Sequence, residues 1–456
     1  MQLTLFSPEV AQSIKSKVFK KTILGQFHAS LPLKELAALL PRRKTKVGAR
    51  GWFTNEGKIA LQFLKSYEGC SDEKLLERIN TSWTLQLFCG IHLPAAKMIG
   101  DKDLIWKTRA WVAKHMDWNA AQSILISHWK PQMELLHLGL SDATCYESYI
   151  KYPTDVKLLW GCCDWLEKQL QRLRKTLRAP RQRNTYREQE QRQLAYARRR
   201  RKTYKQTRRR CRQLLHLCQR QIGQLAKLIV LWNSDPLKDP YLFVPQEQQR
   251  FDVIGQIYIQ QQQHYDDPAK KIDNRIVSLY KPYLRPIVRG KENKRVEFGA
   301  KVNTWQVGGL NFIEHLSFNA FHEGIRLKQG IAFHKKHFGQ LSQLGADRIY
   351  ATNENRRYCS TLSIQTNFAP KGRPSNDQDL VRQQRQMRSA IATVRATQLE
   401  GSYGNDKNHY GLRKVKARNQ LTEQAWIFFA MMSANAMKMA RKKAHIAKEE
   451  QKTRAA

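Results

Sequence analysis

The chain has 456 residues, with 80 Lys and Arg against 38 Asp and Glu and a formal net charge of +42. That excess points to a polyanionic partner, nucleic acid or an anionic membrane surface, and no run of roughly 18 or more apolar residues is present to span a bilayer. At 41% hydrophobic the chain has enough apolar residues to fill real cores, and its length allows about two to four domains. The first residues, MQLTLFSPEV, carry no basic region ahead of an apolar core, so no signal peptide is expected. The eight cysteines are scattered and form no paired C-x-x-C motifs, which argues against a zinc site and for a reducing cytoplasm.

In chain order, residues 1–130 read as helical. LPLKELAALLP (31–41) is a short amphipathic segment closed by Pro41, and GWFTNEGKIALQFLKSYEG follows it. In SDEKLLERINTSWTLQLFCGI, Leu75, Leu76, Ile79, Trp83 and Leu87 recur at helical spacing, with Ser71 or Asp72 able to cap the start. Two more helices are predicted over 101–116 and 119–130. Trp52, Trp83, Trp106 and Trp111 are expected in the core rather than stacked on bases. Arg42, Arg43, Lys44, Lys46 and Arg50 flank the first helices. A basic helical domain of this kind suits DNA binding, with Arg42, Arg43 and Lys44 as candidate contacts; a helical scaffold with solvated charge is the equal alternative. MELLHLGLSDAT (133–144) then reads as a buried strand ending at Asp142.

From 156 to about 275 the chain reads as a long helical insertion. Leu166, Leu170, Leu173 and Leu177 repeat at helical spacing up to Pro180, and Leu214, Leu217, Ile222, Leu225 and Ile229 do so in a second helix read from 181 to 232. Arg198, Arg199, Arg200, Arg201, Arg208, Arg209 and Arg210 make its middle densely cationic. With almost no acidic residue after Glu190, phosphate contact is favoured over a merely solvated face. A helix follows over 244–267. KRVEFGAKVNTWQV and NFIEHLSF, parted by Gly308-Gly309, carry the alternation and turn of a β-hairpin. After a helix over 323–339 comes a short strand, LGADRIYA, carrying Asp347. The rest reads as a short helix from NENRRYC, a strand LSIQTN, a helix carrying Glu400, and a last helix from 421 with an apolar first half and a basic end.

Asp142, Asp347 and Glu400 are the three acids that stand inside distinctive phrases. Widely spaced carboxylates sharing a metal site in so basic a chain point to phosphodiester chemistry on nucleic acid. KLLERINTSWTLQLFCGI, DATCYESYIKYPTD, LRPIVRGKENKRVEFGAK, GADRIYATNENRRYC and EGSYGNDKNHYGL occur in that order. Together they resemble the DDE transposases of bacterial insertion sequences, in the branch with an amino-terminal helical transposase domain and a YPTD phrase after the first aspartate.

The resemblance implies a mixed α/β (α+β) protein with a ribonuclease-H-like catalytic core. Its parts would be a helical DNA-binding domain (1–130), the first part of the core (131–155), an arginine-rich helical insertion (156–275), the remainder of the core (276–440) and a basic tail (441–456). It also implies Asp142, Asp347 and Glu400 as catalytic acids and metal ligands for two Mg²⁺ ions, with Mn²⁺ substituting. Lys407, seven residues after Glu400, matches a basic position that the family uses toward DNA. Arg395, five residues before Glu400, is a further candidate DNA contact and stands one position off the family's arginine. Gly345 replaces a common His. The partners implied are double-stranded DNA, as terminal inverted repeats and target, and a second copy of the chain; the location implied is the bacterial cytoplasm, at the nucleoid. Two other readings are a transposase-derived DNA-binding protein without catalysis and an arginine-rich RNA-binding protein, though no RRM, KH or double-stranded-RNA motif is present. Glu147, Asp155 and Glu297 are expected in structural roles. His315, His322, His334 and His337 fit no compact ligand motif, and hard Mg²⁺ prefers oxygen.

Overall fold

The computed structural model describes residues 8–42, 51–94, 97–235, 239–288, 296–372 and 376–455. Helices and strands are mixed, and the chain divides into two units: residues 1–149 with 299–456, and residues 150–298.

The first unit begins with eight helices: α1 (Pro8–Lys21), α2 (Ile23–Ala29), α3 (Leu33–Ala38), α4 (Asn55–Glu68), α5 (Asp72–Thr81), α6 (Trp83–Phe88), α7 (Leu104–His115) and α8 (Trp118–Trp129). Side-chain oxygens of Thr22, Thr54, Ser71 and Asp117 accept from the first-turn amides of α2, α4, α5 and α8, satisfying donors that a helix start leaves unpaired. The single helix expected after Ser71 is two. Ser82 takes an extended backbone (φ −113°, ψ 112°) and its hydroxyl pairs with that of Thr84. Trp83, just after the break, is 36% exposed, and Trp106 of α7 is 37% exposed, although both were expected in the core.

The strand β1 (Leu138–Glu147) follows, and the chain enters the second unit. That unit holds α9 (Asp155–Leu177), α10 (Tyr186–Arg198), α11 (Tyr204–Asn233), α12 (Pro245–Asp266), β2 (Pro286–Val288) and the first residues of β3 (Val296–Val307). One apolar core runs through its helices, from Val156, Leu159 and Leu166 to Leu214, Leu225, Ile254 and Ile257. Thr154 caps α9, so Asp155 does not; its carboxylate accepts from Arg275 (2.6 Å) and Gln261 (3.1 Å). The cationic middle is not one helix. α10 ends at Arg198, and Arg199, Arg200 and Arg201 lie in the turn before α11.

After β3 the first unit resumes with β4 (Leu310–Ser317), α13 (Leu327–His337), β5 (Gln343–Ala346), α14 (Asn353–Thr361), β6 (Gln365–Thr366), α15 (Gln378–Val394), α16 (Glu400–His409) and α17 (Gln420–Ala455). Its strands run in the order β4-β3-β1-β5-β6. β3 is antiparallel to β4 and β1, while β1, β5 and β6 are mutually parallel. The expected hairpin is β3–β4, and Gly308 and Gly309 hold positive φ (55° and 75°), as a two-residue hairpin turn requires.

On one sheet face Trp305 fills a slot that two glycines leave open. A Cβ on Gly139 or Gly330 would lie 2.8 Å or 2.3 Å from its ring. The indole N–H donates to His334 Nδ1 (3.1 Å), and burial pushes the His334 pKa down to about 4, which keeps the imidazole neutral. The apolar half of α17 is buried, as expected. Phe429 meets Phe63 of α4 edge-on at 5.0 Å and Phe428 meets Trp118 of α8 at 4.9 Å. The Ser30 hydroxyl donates to the Ala436 carbonyl (3.0 Å). Asn435, within the apolar run, exchanges both hydrogen bonds with the Asn311 backbone (2.7 and 3.0 Å). The amino-terminal helices and α17 therefore share one core.

Candidate active site

Asp142 is the fifth residue of β1, which runs on to Glu147 rather than ending at the aspartate. Strand periodicity sends Leu138, Leu140, Asp142, Thr144 and Tyr146 to one sheet face, and α16 with the turn before it lies along that face. Leu138 and Leu140 pack on Leu399 and Tyr403. The Tyr403 hydroxyl donates to the Asp142 carbonyl (3.0 Å), Lys407 Nζ to Thr144 Oγ1 (3.1 Å), and the Tyr146 hydroxyl to Asp406 Oδ2 (3.0 Å).

β5 runs parallel to β1, with Ala346 opposite Ser141. Asp347 is the next residue, one past the strand; its carboxylate accepts from the Arg348 amide (2.7 Å) and caps a short 3₁₀ turn. Two aspartates far apart in sequence thus stand near each other, one within β1 and one just past the end of the parallel strand β5. A single guanidinium spans them: Arg395 Nη1 is 3.0 Å from Asp142 Oδ2, and Nη2 is 3.6 Å from Asp347 Oδ1. The other Asp142 oxygen accepts from the Ala143 amide (2.7 Å).

Burial pushes the Asp142 pKa up to about 6; Arg395 and the Ala143 amide pull against this, and the charges of Glu323 and Asp347 add to it. Glu323 was not singled out by any motif. It sits in a 3₁₀ turn (Glu323–Arg326) packed against the turn that follows Asp347, and Lys301 pairs with it at 2.8 Å. No local sequence signal marks it, because its neighbourhood is made by residues distant in the chain.

Glu400 is exposed at the first residue of α16. The three predicted acids are not drawn into one cluster: among the described residues no trio of His, Cys, Asp or Glu is placed to hold a metal ion. Asp142 and Asp347 do fit a cation, since two hard anionic oxygens already share one positive group between them. The helix before Glu400 is irregular. Residues Arg395–Leu399 form a π turn, whose i→i+5 bonding stacks residues five apart as an α-helix stacks residues four apart. The five-residue step from Arg395 to Glu400 spans this turn.

The remaining predicted contacts lie elsewhere. Arg42 is exposed after α3, and Arg43 and Lys44 fall outside the described residues. In the second unit Arg198, Arg199, Arg200, Arg201 and Arg209 are exposed, while Arg208 stacks on Tyr265 at 4.4 Å. Arg210 turns inward, contrary to a role on phosphate: it is 3% exposed and its guanidinium is held by Gln189 and Gln193. Glu147 pairs with Lys414, a structural role as expected. Among the described residues no helix is long and apolar enough to cross a membrane.

No curated protein and no solved structure matches the chain. Residues 344–436, which carry Asp347, Arg395, Glu400 and Lys407, match the family described as transposase DDE domain, and this similarity supports a transposase role.

Proposed function

We propose that the chain is a DNA transposase that cuts the ends of its element and joins them to target DNA, with Asp142, Asp347 and Glu400 as the catalytic acids. The observation that carries this reading is the pairing of Asp142 and Asp347 on Arg395, with Glu400 one turn further along the same helix. The sheet order supports a ribonuclease-H-like core, with one aspartate on the first strand of the first unit and the other just past its fourth.

Divalent cations, Mg²⁺ with Mn²⁺ as substitute, would supply the Lewis acidity that activates a water or a terminal 3′-hydroxyl and steadies the leaving oxygen. Asp142 and Asp347 are the side chains to hold them, with Glu400 completing the set. The Ala143 amide fixes Asp142 Oδ1 and leaves Oδ2 toward the shared site, and the Arg348 amide steadies Asp347 Oδ1, the oxygen nearest Arg395. Tyr403 ties the Asp142 backbone to α16, so the helix carrying Glu400 keeps its register on β1. Lys407 on Thr144 presents positive charge on the same face for a DNA phosphate. In the second unit, Arg198–Arg201 with Arg208 and Arg209 would grip backbone without reading sequence. Two DNA ends must be joined in one event, so the working form is proposed to be a homodimer.

The test is cleavage of a labelled duplex carrying the inverted repeats that bracket the gene. Asp142→Asn, Asp347→Asn and Glu400→Gln are each expected to lower cleavage by at least about 1,000-fold while leaving duplex affinity within about threefold, as loss of a ligand used only in the reaction should. Cleavage near the wild-type rate by any of the three variants would remove that residue from the assignment.

A further inference from the structure

Arg395 does more than lie near the acid pair. Its two terminal nitrogens address different aspartates, at 3.0 and 3.6 Å, and its side chain is only 16% exposed, against 18% for Asp142 and 51% for Asp347. A guanidinium so placed offsets one of the two negative charges and weakens the repulsion between the carboxylates. It also occupies the side of Asp142 Oδ2 from which a cation would bind. A single oxygen holding a guanidinium and a divalent ion together would bring two positive groups within a few ångströms of each other, which costs free energy that neither group alone incurs.

The backbone is built to deliver this contact. In an α-helix, residues five apart point about 140° away from each other. The π turn over Arg395–Leu399 reduces that offset, because its i→i+5 bonding brings residues five apart closer to one line along the helix, and Arg395 within it reaches both aspartates. The turn's middle residues, Ala396, Thr397 and Gln398, are exposed and Leu399 is buried. The irregular turn is therefore anchored by Leu399 at one end and by the Arg395 ion pairs at the other.

We propose that Arg395 is the resident counter-cation of the Asp142–Asp347 pair, a positioning residue that holds the two carboxylates until a divalent ion arrives and competes with that ion for them. This rests on the reading of the two aspartates as metal ligands. Because the two cations compete, each weakens the other's hold on the pair. Arginine substitution should then improve metal binding, whereas a merely structural arginine would leave it unchanged or make it worse.

The experiment is Mn²⁺ binding to the full-length protein without DNA, by calorimetric titration at pH 8. Arg395→Gln is expected to bind Mn²⁺ at least about fivefold more tightly than wild type, the lower end of typical linkage between competing groups. Arg395→Lys, with one nitrogen and no fork, should fall between the two. Both variants are checked by circular dichroism, and Arg395→Lys decides the matter if Arg395→Gln does not fold. Unchanged or weaker binding in a folded variant overturns the proposal. Asp142→Asn separates the two readings. If it abolishes Mn²⁺ binding, the metal-site reading stands whatever Arg395→Gln does. If it binds Mn²⁺ as wild type does, the metal-site reading fails and this proposal falls with it.

Discussion

Burial in the fold governs the charge of Asp406. It is 1% exposed, accepts from the Tyr146 hydroxyl and sits one position before Lys407; burial pushes its pKa up to about 7. A carboxyl whose folded pKa lies above its unfolded value binds its proton more tightly in the folded state. Its contribution is therefore fully present below the unfolded value near 3.8 and is lost as pH rises through about 7. Wild type should lose roughly 2 kcal/mol or more of unfolding free energy, relative to Asp406→Asn, between pH 4 and pH 8. Denaturant midpoints of the two proteins across that range are the check, and parallel curves would show that Asp406 titrates normally. At this scale the sequence marked Asp142, Asp347 and Lys407 because each stands in a local phrase. It could not mark Glu323 or Asp406, whose surroundings are assembled from β1, β3, β4 and α16. It placed Arg210 on phosphate because a charge run does not reveal which arginine turns inward.

The elements around the site are held by phase. α16 follows β1 turn by turn, so Leu399, Tyr403 and Lys407 meet successive outward residues of one strand face. Arg395 stands one position off the spacing that the family resemblance implies, and the step from it to Glu400 spans the π turn. Deleting Thr397 should convert this turn to α-helix with Arg395 and Glu400 still stacked, leaving Mn²⁺ affinity within about twofold of wild type. Inserting one Ala after Thr397 should turn Glu400 by about 100° and abolish cleavage. A deletion variant that folds but loses Mn²⁺ binding would contradict this account. On the opposite face, Gly330→Ala drives a methyl into Trp305. Overpacking of that kind costs about 1–3 kcal/mol, which a thermal melt would register. The β3–β4 hairpin was legible from alternation and Gly308-Gly309, because both signals are local. The division between α5 and α6 was not, since the apolar period continues unbroken through Ser82.

At the scale of the molecule, the second unit enters after β1 and leaves into β3 at residues that face each other, Glu147 opposite Gly299. Its core is its own. A fragment of residues 150–298 should fold alone, with helical circular dichroism and a single cooperative melt; an unstructured fragment would mean that its core is insufficient. The amino-terminal helices differ, because α17 fills their centre. A fragment of residues 1–130 leaves that apolar surface uncovered, so it should aggregate or remain molten rather than act as an independent binding domain. Periodicity and alternation made the helices of the first segment and the β3–β4 pairing legible. That the last helix completes the first segment's core was not, because a pairing between the two ends of a chain leaves no periodic trace.

The central claim is that Asp142, Asp347 and Glu400 serve one metal site. Anomalous diffraction from crystals of the protein bound to a terminal-repeat duplex and soaked in Mn²⁺ tests it directly. The account predicts density within roughly 2.0–2.3 Å of carboxylate oxygens from Asp142 and Asp347, with Glu400 drawn to the same cluster and Arg395 moved off at least one aspartate. Mn²⁺ bound elsewhere, or bound at Asp142 with Glu400 still exposed and Arg395 unmoved, would contradict it.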